Sequence, residues 1–188
     1  MRILQCLVVF LVILNPTLAY PFPAEDVVVV NNLEYFPTVH KLLSEAKKSI
    51  YVIMFSARYY DDYPDSKSNI LFNDLADAKK RGLDVKYILE QELPEKGKTA
   101  EKDRIYPKEH NRVMDFLKKN NIAYTLDNPD ITTHSKLIIV DGMYTVVGST
   151  NWSYSALTKN NETSVIIKSV NLADSYTRYF NEIVKDSK

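Results

Sequence analysis

The 188-residue chain has a single cysteine, Cys6. It lies in an apolar N-terminal stretch, with too few apolar residues before it to be a lipid-attachment cysteine. Removal of that stretch leaves no thiol, which excludes a disulfide framework and thiolate zinc sites. Net charge is also absent, since 24 basic residues balance 24 acidic ones. This argues against a strongly basic, tight binder of polyanions but leaves room for a local basic groove. No long apolar run exists either. The run from Ile3 to Leu14, broken only by Gln5, falls short of the roughly 20 residues that cross a bilayer. With Arg2 before it and the small residues Thr17 and Ala19 after it, residues 1–19 read as a secretory signal peptide cleaved after Ala19. An uncleaved membrane anchor is the alternative. Internal repeats and low-complexity tracts are missing. One tryptophan stands against 13 tyrosines, which read chiefly as strand residues that pack or cap a core and only secondarily as surfaces for stacking on bases. Histidine is scarce too, at positions 40, 110 and 134.

What is present, over residues 24–188, is one domain with a core of its own. Val27 to Val30 reads as a strand of the fully buried type. Leu33 to Lys48 has helical spacing, with Pro37 near its start. Ser49 to Phe55 is a second buried strand, Ser68 to Arg81 an amphipathic helix stopped by Gly82, and Leu83 to Leu89 a third strand. Pro107 to Asn120 reads as a helix and Ile122 to Leu126 as a strand. Strands follow over 137–140, 144–147 and 164–167, then a helix from about Leu172 to Val184. Strands alternating with helices predict an α/β fold in which a mixed sheet is sandwiched between helices.

The most informative stretch is HSKLIIVDGMYTVVGSTN, residues 134–151. Leu137 to Val140 and Tyr144 to Val147 are apolar runs joined by the turn dipeptide Asp141-Gly142. Residues i and i+2 of a strand share a face, so His134 and Lys136 look into one site while Ser135 looks away. The hairpin folds Gly148 to Asn151 back beside them. An imidazole, an ammonium, a hydroxyl and a carboxamide that converge suit a phosphodiester. Lys136 neutralises phosphate oxygens, Ser149 and Asn151 donate hydrogen bonds, and His134 attacks phosphorus or moves a proton. The carboxylate clusters of two-metal nucleases and the Cys/His spacing of zinc sites are absent near these residues, which predicts chemistry without metal or cofactor.

This is the HxKxxxxDxxxxxxGSxN signature, and over nearly all of its length after residue 19 the chain resembles the phospholipase D superfamily. It is most similar to the small bacterial endonucleases of that group, which carry one motif rather than two. The zinc-finger insert of some animal relatives has no counterpart. The resemblance implies that Glu162, in Asn160-Asn161-Glu162-Thr163, is the downstream acidic residue that holds the catalytic histidine. It also implies that Asp141 is structural, and that two subunits pair to build one active site.

Residue chemistry leads to the same pairing. In-line displacement at phosphorus needs a nucleophile on one side and a proton donor behind the leaving oxygen, and one histidine cannot be both at once. His40 is followed directly by Lys41 and lacks the spacing. His110-Asn111-Arg112 imitates it only loosely and reads as a helix-surface histidine. The second histidine is then expected from another copy of the chain across a two-fold axis. One His134 forms a phosphohistidine, and the partner's protonates the leaving oxygen and then activates water. Lys136, Asn151 and Ser149 hold the non-bridging oxygens, and Glu162 fixes the tautomer of His134.

The expectation is an exported, metal-independent endonuclease on DNA or RNA, in a bacterial envelope compartment. A lipid phosphodiesterase acting on phosphatidylcholine or cardiolipin is the alternative. A silent polyanion-binding module is disfavoured by the intact His134, Lys136 and Asn151. Two segments have open readings. Residues 91–112 are either a solvated loop and helix start or a cationic flap over the substrate. Arg58-Tyr59-Tyr60 either lines a groove mouth or forms an ordinary surface loop with Asp61, Asp62 and Asp65.

Overall fold

The computed structural model describes residues 21–90 and 108–187, with only the backbone of 108–111. The signal-peptide reading of 1–19, the flap reading of 91–107 and the side chain of His110 lie outside the described residues. No helix among the described residues is long and apolar enough to cross a membrane.

The strands are β1 (Asp26–Val29), β2 (Ser49–Met54), β3 (Asp84–Leu89), β4 (Ala123–Leu126), β5 (Lys136–Val140), β6 (Tyr144–Gly148) and β7 (Ser164–Lys168). They form one seven-stranded sheet in the order β1-β7-β6-β5-β2-β3-β4. Pairing is parallel through β2, β3 and β4 and antiparallel elsewhere, so the mixed sheet expected from the pattern is present. The helices are α1 (Tyr35–Ser44), preceded by a short 3₁₀ helix at Asn32–Glu34, α2 (Lys67–Lys80), α3 (Lys108–Lys119), α4 (Tyr154–Thr158) and α5 (Val170–Asp186). Val39 and Leu43 of α1, Leu71, Phe72 and Leu75 of α2, and Val113 and Leu117 of α3 pack on one face of the sheet. Ala173 and Phe180 of α5 pack on the other, against Ile53, Ile88, Leu137 and Ile139. Both faces are therefore covered, and β5, at the centre, is buried at every position.

Two expectations need correction. The valine run is not a buried strand: Val27, Val28 and Val29 are 54%, 42% and 57% exposed. Among the described residues β1 is an edge strand whose ladder pairs only with β7, and of the valine run only Val30, beyond its end, is buried. The β-branched run satisfies strand geometry without being enclosed. The first helix also ends earlier than its apolar spacing allows, at Ser44 rather than Lys48. The backbone N–H groups of Lys47, Lys48 and Ser49 turn instead to the carboxylate of Asp141, at 2.7–3.1 Å.

The sheet has one chemically rich end. The register sets Met54 opposite both Leu89 and Lys136, and Gly148 opposite Ser164. The C-terminal ends of parallel β2 and β3, the start of β5, the end of β6 and the start of β7 therefore meet there, the position where open α/β sheets collect ligand-binding loops.

Candidate active site

His134 precedes β5 rather than lying within it, and its neighbours hold it. The Thr133 N–H donates to the buried carboxylate of Glu90, and the Phe55 N–H donates to the Ser135 carbonyl at 2.9 Å. The His134 side chain is exposed while Lys136 is 9% exposed. Lys136 Nζ lies 3.2 Å from His134 Nδ1, 3.3 Å from its Nε2 and 2.7 Å from its carbonyl oxygen. The same-face expectation for the pair thus holds geometrically even though the strand begins two residues late. Phe55 completes the wall, with its ring centroid 4.2 Å from that of His134 and 4.6 Å from Lys136 Nζ. Burial pulls the Lys136 ammonium below its ordinary pKa of 10.5, and the charge of Glu162 pulls it back up. The site thus contains a partly dehydrated cation whose charge-assisted hydrogen bonds are strengthened by its surroundings.

The GSxN segment runs along the next strand end. Gly148 allows no side chain, because a Cβ there would lie 2.2 Å from Ser164 Oγ and 2.3 Å from the Thr163 carbonyl. The Ser149 N–H donates to the Thr163 carbonyl at 2.9 Å, and the Thr150 and Ser164 hydroxyls meet at 3.0 Å. Asn151 is half-buried, and its Oδ1 is enclosed with no hydrogen-bond partner among the described residues. Trp152 is fully buried and anchors the segment: its N–H donates to the Ser56 carbonyl and its Nε1–H to Tyr35 Oη.

Glu162 and Ser149 differ from expectation. The Ser149 hydroxyl donates to Glu162 Oε2, and Asn160 Nδ2 donates to Oε1 at 2.9 Å. The Glu162 N–H donates to Asn32 Oδ1 at 2.7 Å. The expected Glu162–His134 hydrogen bond is not found among the described residues. Both carboxylate oxygens already have partners close by in the β6–β7 connection, and both ring nitrogens of His134 face Lys136. Glu162 therefore reaches the pair through the Lys136 ammonium, by charge. In this arrangement the Ser149 proton is directed to Glu162, so the serine holds that carboxylate.

Asp141 sits at the far end of the hairpin. Asp141 and Gly142 take φ values of 58° and 64°, the left-handed pair that tight hairpin turns require, and Met143 N–H closes the turn on the Val140 carbonyl. The Asp141 carboxylate fastens this turn to the α1–β2 connection through Lys47, Lys48 and Ser49. This is the structural role expected of Asp141: it fixes the hairpin's turn through backbone N–H groups of the neighbouring connection. Phe55, Glu90, Asn160 and Asn32 were not singled out from sequence. Only Phe55 carried a signal, as the aromatic at the end of a strand.

His40 is absorbed elsewhere. Its Nδ1 lies 2.7 Å from Asp74 Oδ2, and its ring stacks on Phe36, joining α1 to α2. Among the described residues no three His, Cys, Asp or Glu side chains cluster as a metal site.

Residues 39–184 match the domain family described as "Cardiolipin synthase, PLD-like domain". The chain belongs to the phospholipase D superfamily. Among solved structures, the phospholipase D family member Nuc from Salmonella typhimurium superimposes with a TM-score of 0.68 at 26% identity, over 87% of this chain and 96% of that one. NucT from Helicobacter pylori shares the fold, with a TM-score of 0.62 at 15% identity over 86% of this chain and 96% of that one. A Rickettsia bellii protein named phospholipase D is 30% identical over 102 residues, which take in 54% of this chain and 44% of that one. The chain thus matches less than half of that relative's length. Superfamily members are phosphodiesterases, a chemistry compatible with an imidazole set against a dehydrated ammonium.

Proposed function

We propose that this chain is an exported, metal-independent phosphodiesterase that works as a homodimer on nucleic acid, through a phosphohistidine at His134. The observation that carries the reading is the Lys136 ammonium held within 3.3 Å of both nitrogens of the exposed His134 ring. A phosphoryl oxygen drawn to Lys136 brings phosphorus to the imidazole. The His134 nitrogen attacks in line and the bond to the leaving oxygen breaks. A proton from His134 of a second copy neutralises that oxygen, and the same group then deprotonates the water that hydrolyses the P–N bond. Lys136 and the side-chain N–H of Asn151 stabilise the charge on the non-bridging oxygens. Lys136→Ala and Asn151→Ala each reduce turnover by about 10²–10³ in this scheme, the usual cost of one lost donor.

The need for a second copy is supported by the histidine inventory. Among the histidines with described side chains, His40 is engaged with Asp74 and His134 alone belongs to the motif; His110 lacks the motif spacing. Nucleic acid is preferred because the chain carries one motif and aligns with Nuc over almost the whole length of both. Phospholipid is the second reading, favoured by the name of the Rickettsia relative.

The test is incubation of the purified chain, without residues 1–19 and in excess EDTA, with plasmid, single-stranded DNA, RNA and vesicles of phosphatidylcholine or cardiolipin. The expected result is nucleic-acid cleavage undiminished by EDTA. Activity that appears only on restoring magnesium or zinc overturns the mechanism, and activity confined to vesicles overturns the substrate.

A further inference from the structure

At the end of the sheet that carries the His134–Lys136 pair, though lined by neither residue, lies a cleft of about 630 Å³ that the proposed mechanism does not use. Clefts that hold small ligands span about 300–1,000 Å³. Ser56, Arg58, Tyr63, Ser66, Ser153 and Tyr154 line it, together with Tyr60. Its two walls grow directly out of the site: Ser56 follows Phe55, the ring packed on His134, and Ser153 lies two residues after Asn151. A parallel bridge between Ala57 and Trp152 ties the walls together, and the Arg58 N–H donates to the Trp152 carbonyl at 2.9 Å.

The cleft is preformed. Asn69 is 1% exposed and reaches from α2 into the 58–66 loop. Its Oδ1 accepts from the Tyr60 N–H at 2.9 Å, and its Nδ2 donates to the Tyr60 and Tyr63 carbonyls at 2.8 and 3.1 Å. The Ser68 hydroxyl contacts the Arg58 and Trp152 carbonyls at 2.6 and 2.9 Å. Tyr59 turns inward, its ring 4.6 Å from that of Phe116, and Tyr60 Oη accepts from the Tyr154 N–H at 3.0 Å. Tyr63 and Tyr154 are left facing solvent, 69% and 53% exposed, although most tyrosines among the described residues pack in or against the core.

The charges decide what fits. Arg58 lines the cleft and Lys159 Nζ lies 5.1 Å over the Tyr154 ring. Asp61, Asp62 and Asp65 are exposed on the same loop, and Asp61 pairs with Arg112 at 3.0 Å. Mixed charge makes a poor phosphate cradle. The two cations oppose a quaternary ammonium, which aromatic rings would otherwise attract. Rings and hydroxyls remain, and they match the faces and polar edges of a nucleobase.

We propose that this cleft binds the base of the nucleotide next to the scissile phosphate, by stacking on Tyr63 and Tyr154, so that the enzyme acts on unpaired strands. The inference rests on nucleic acid being the substrate. The test compares a single-stranded thymidine decamer with a decamer of abasic sugar phosphates, which carries the same charge without bases. The wild-type chain is expected to show a KM for the thymidine strand about tenfold lower, the ordinary worth of one base–aromatic stack. Tyr63→Ala and Tyr154→Ala, checked as folded by circular dichroism, shrink that difference. Tyr63→Phe and Tyr154→Phe, which keep the ring, retain it. Equal KM values for both strands in the wild type, or a difference that survives the alanine variants, overturn the base site while leaving the nuclease reading intact. Cleavage of neither strand, with hydrolysis of phosphatidylcholine vesicles, overturns both.

Discussion

Lys136 is a cation placed where cations are costly, and its surroundings give it a testable titration. Burial lowers its pKa from 10.5, and Glu162 opposes that shift. A lowered pKa means that the ammonium is lost at a lower pH than a free lysine would lose it, so direct NMR titration of the Lys136 amine is expected to give a midpoint below 10.5. Glu162→Gln removes the opposing charge, and that midpoint is expected to move to still lower pH. Titration of the Lys136 amine in the two proteins decides the point: an unmoved midpoint, or one moved upward, contradicts the role assigned to Glu162. Gly148 makes a steric claim of the same scale. With Ser164 Oγ and the Thr163 carbonyl within 2.3 Å of any Cβ, Gly148→Ala is expected to destabilise the fold by about 1–3 kcal/mol, the usual cost of overpacking. It also moves the Ser149–Glu162 pair, so activity per folded molecule falls as well. Urea denaturation alongside turnover checks both; a variant as stable and active as wild type contradicts the close approach. The positions of His134, Lys136 and Asn151 were legible because motif spacing and the two-residue period of a strand set them locally. The partners of Glu162 and the ring of Phe55 were not, because they depend on which connections the sheet returns to the same end.

At the scale of elements, the β5–β6 hairpin is fixed at both ends. Asp141 holds the far end by accepting three backbone N–H groups from residues 47–49. Asp141→Ala removes that acceptor and leaves alanine at a left-handed φ, for a combined loss of about 2 kcal/mol or more. Asn at the same position tolerates the turn and is expected to lose less. A lowered urea midpoint with activity retained in the folded fraction is the anticipated result, and a fully stable but inactive Asp141→Ala would show that the residue acts in the chemistry. The order and type of the longer elements could be read from periodicity, whereas the setting of β1 could not. A run of valines looks the same in a central strand and at an edge, and only topology distinguishes them. The five-residue α4 is too short for a periodic signal, though Ser153 caps it by accepting from the Ala156 N–H.

At the scale of the whole molecule, the described residues bring one imidazole, one ammonium and one carboxamide to one end of the sheet, and the proposed displacement at phosphorus needs a second imidazole. His40 is held between α1 and α2 by Asp74 and Phe36. The proposed mechanism therefore turns on a site completed by a second copy, and mixing subunits tests it most directly. Equimolar wild-type and His134→Ala chains are refolded together so that subunits pair at random, and cleavage is measured against the same total amount of wild-type protein. A shared site predicts about one quarter of the activity, because only about one dimer in four carries His134 on both sides. Activity near one half, or a fully active monomer in sedimentation, would contradict it.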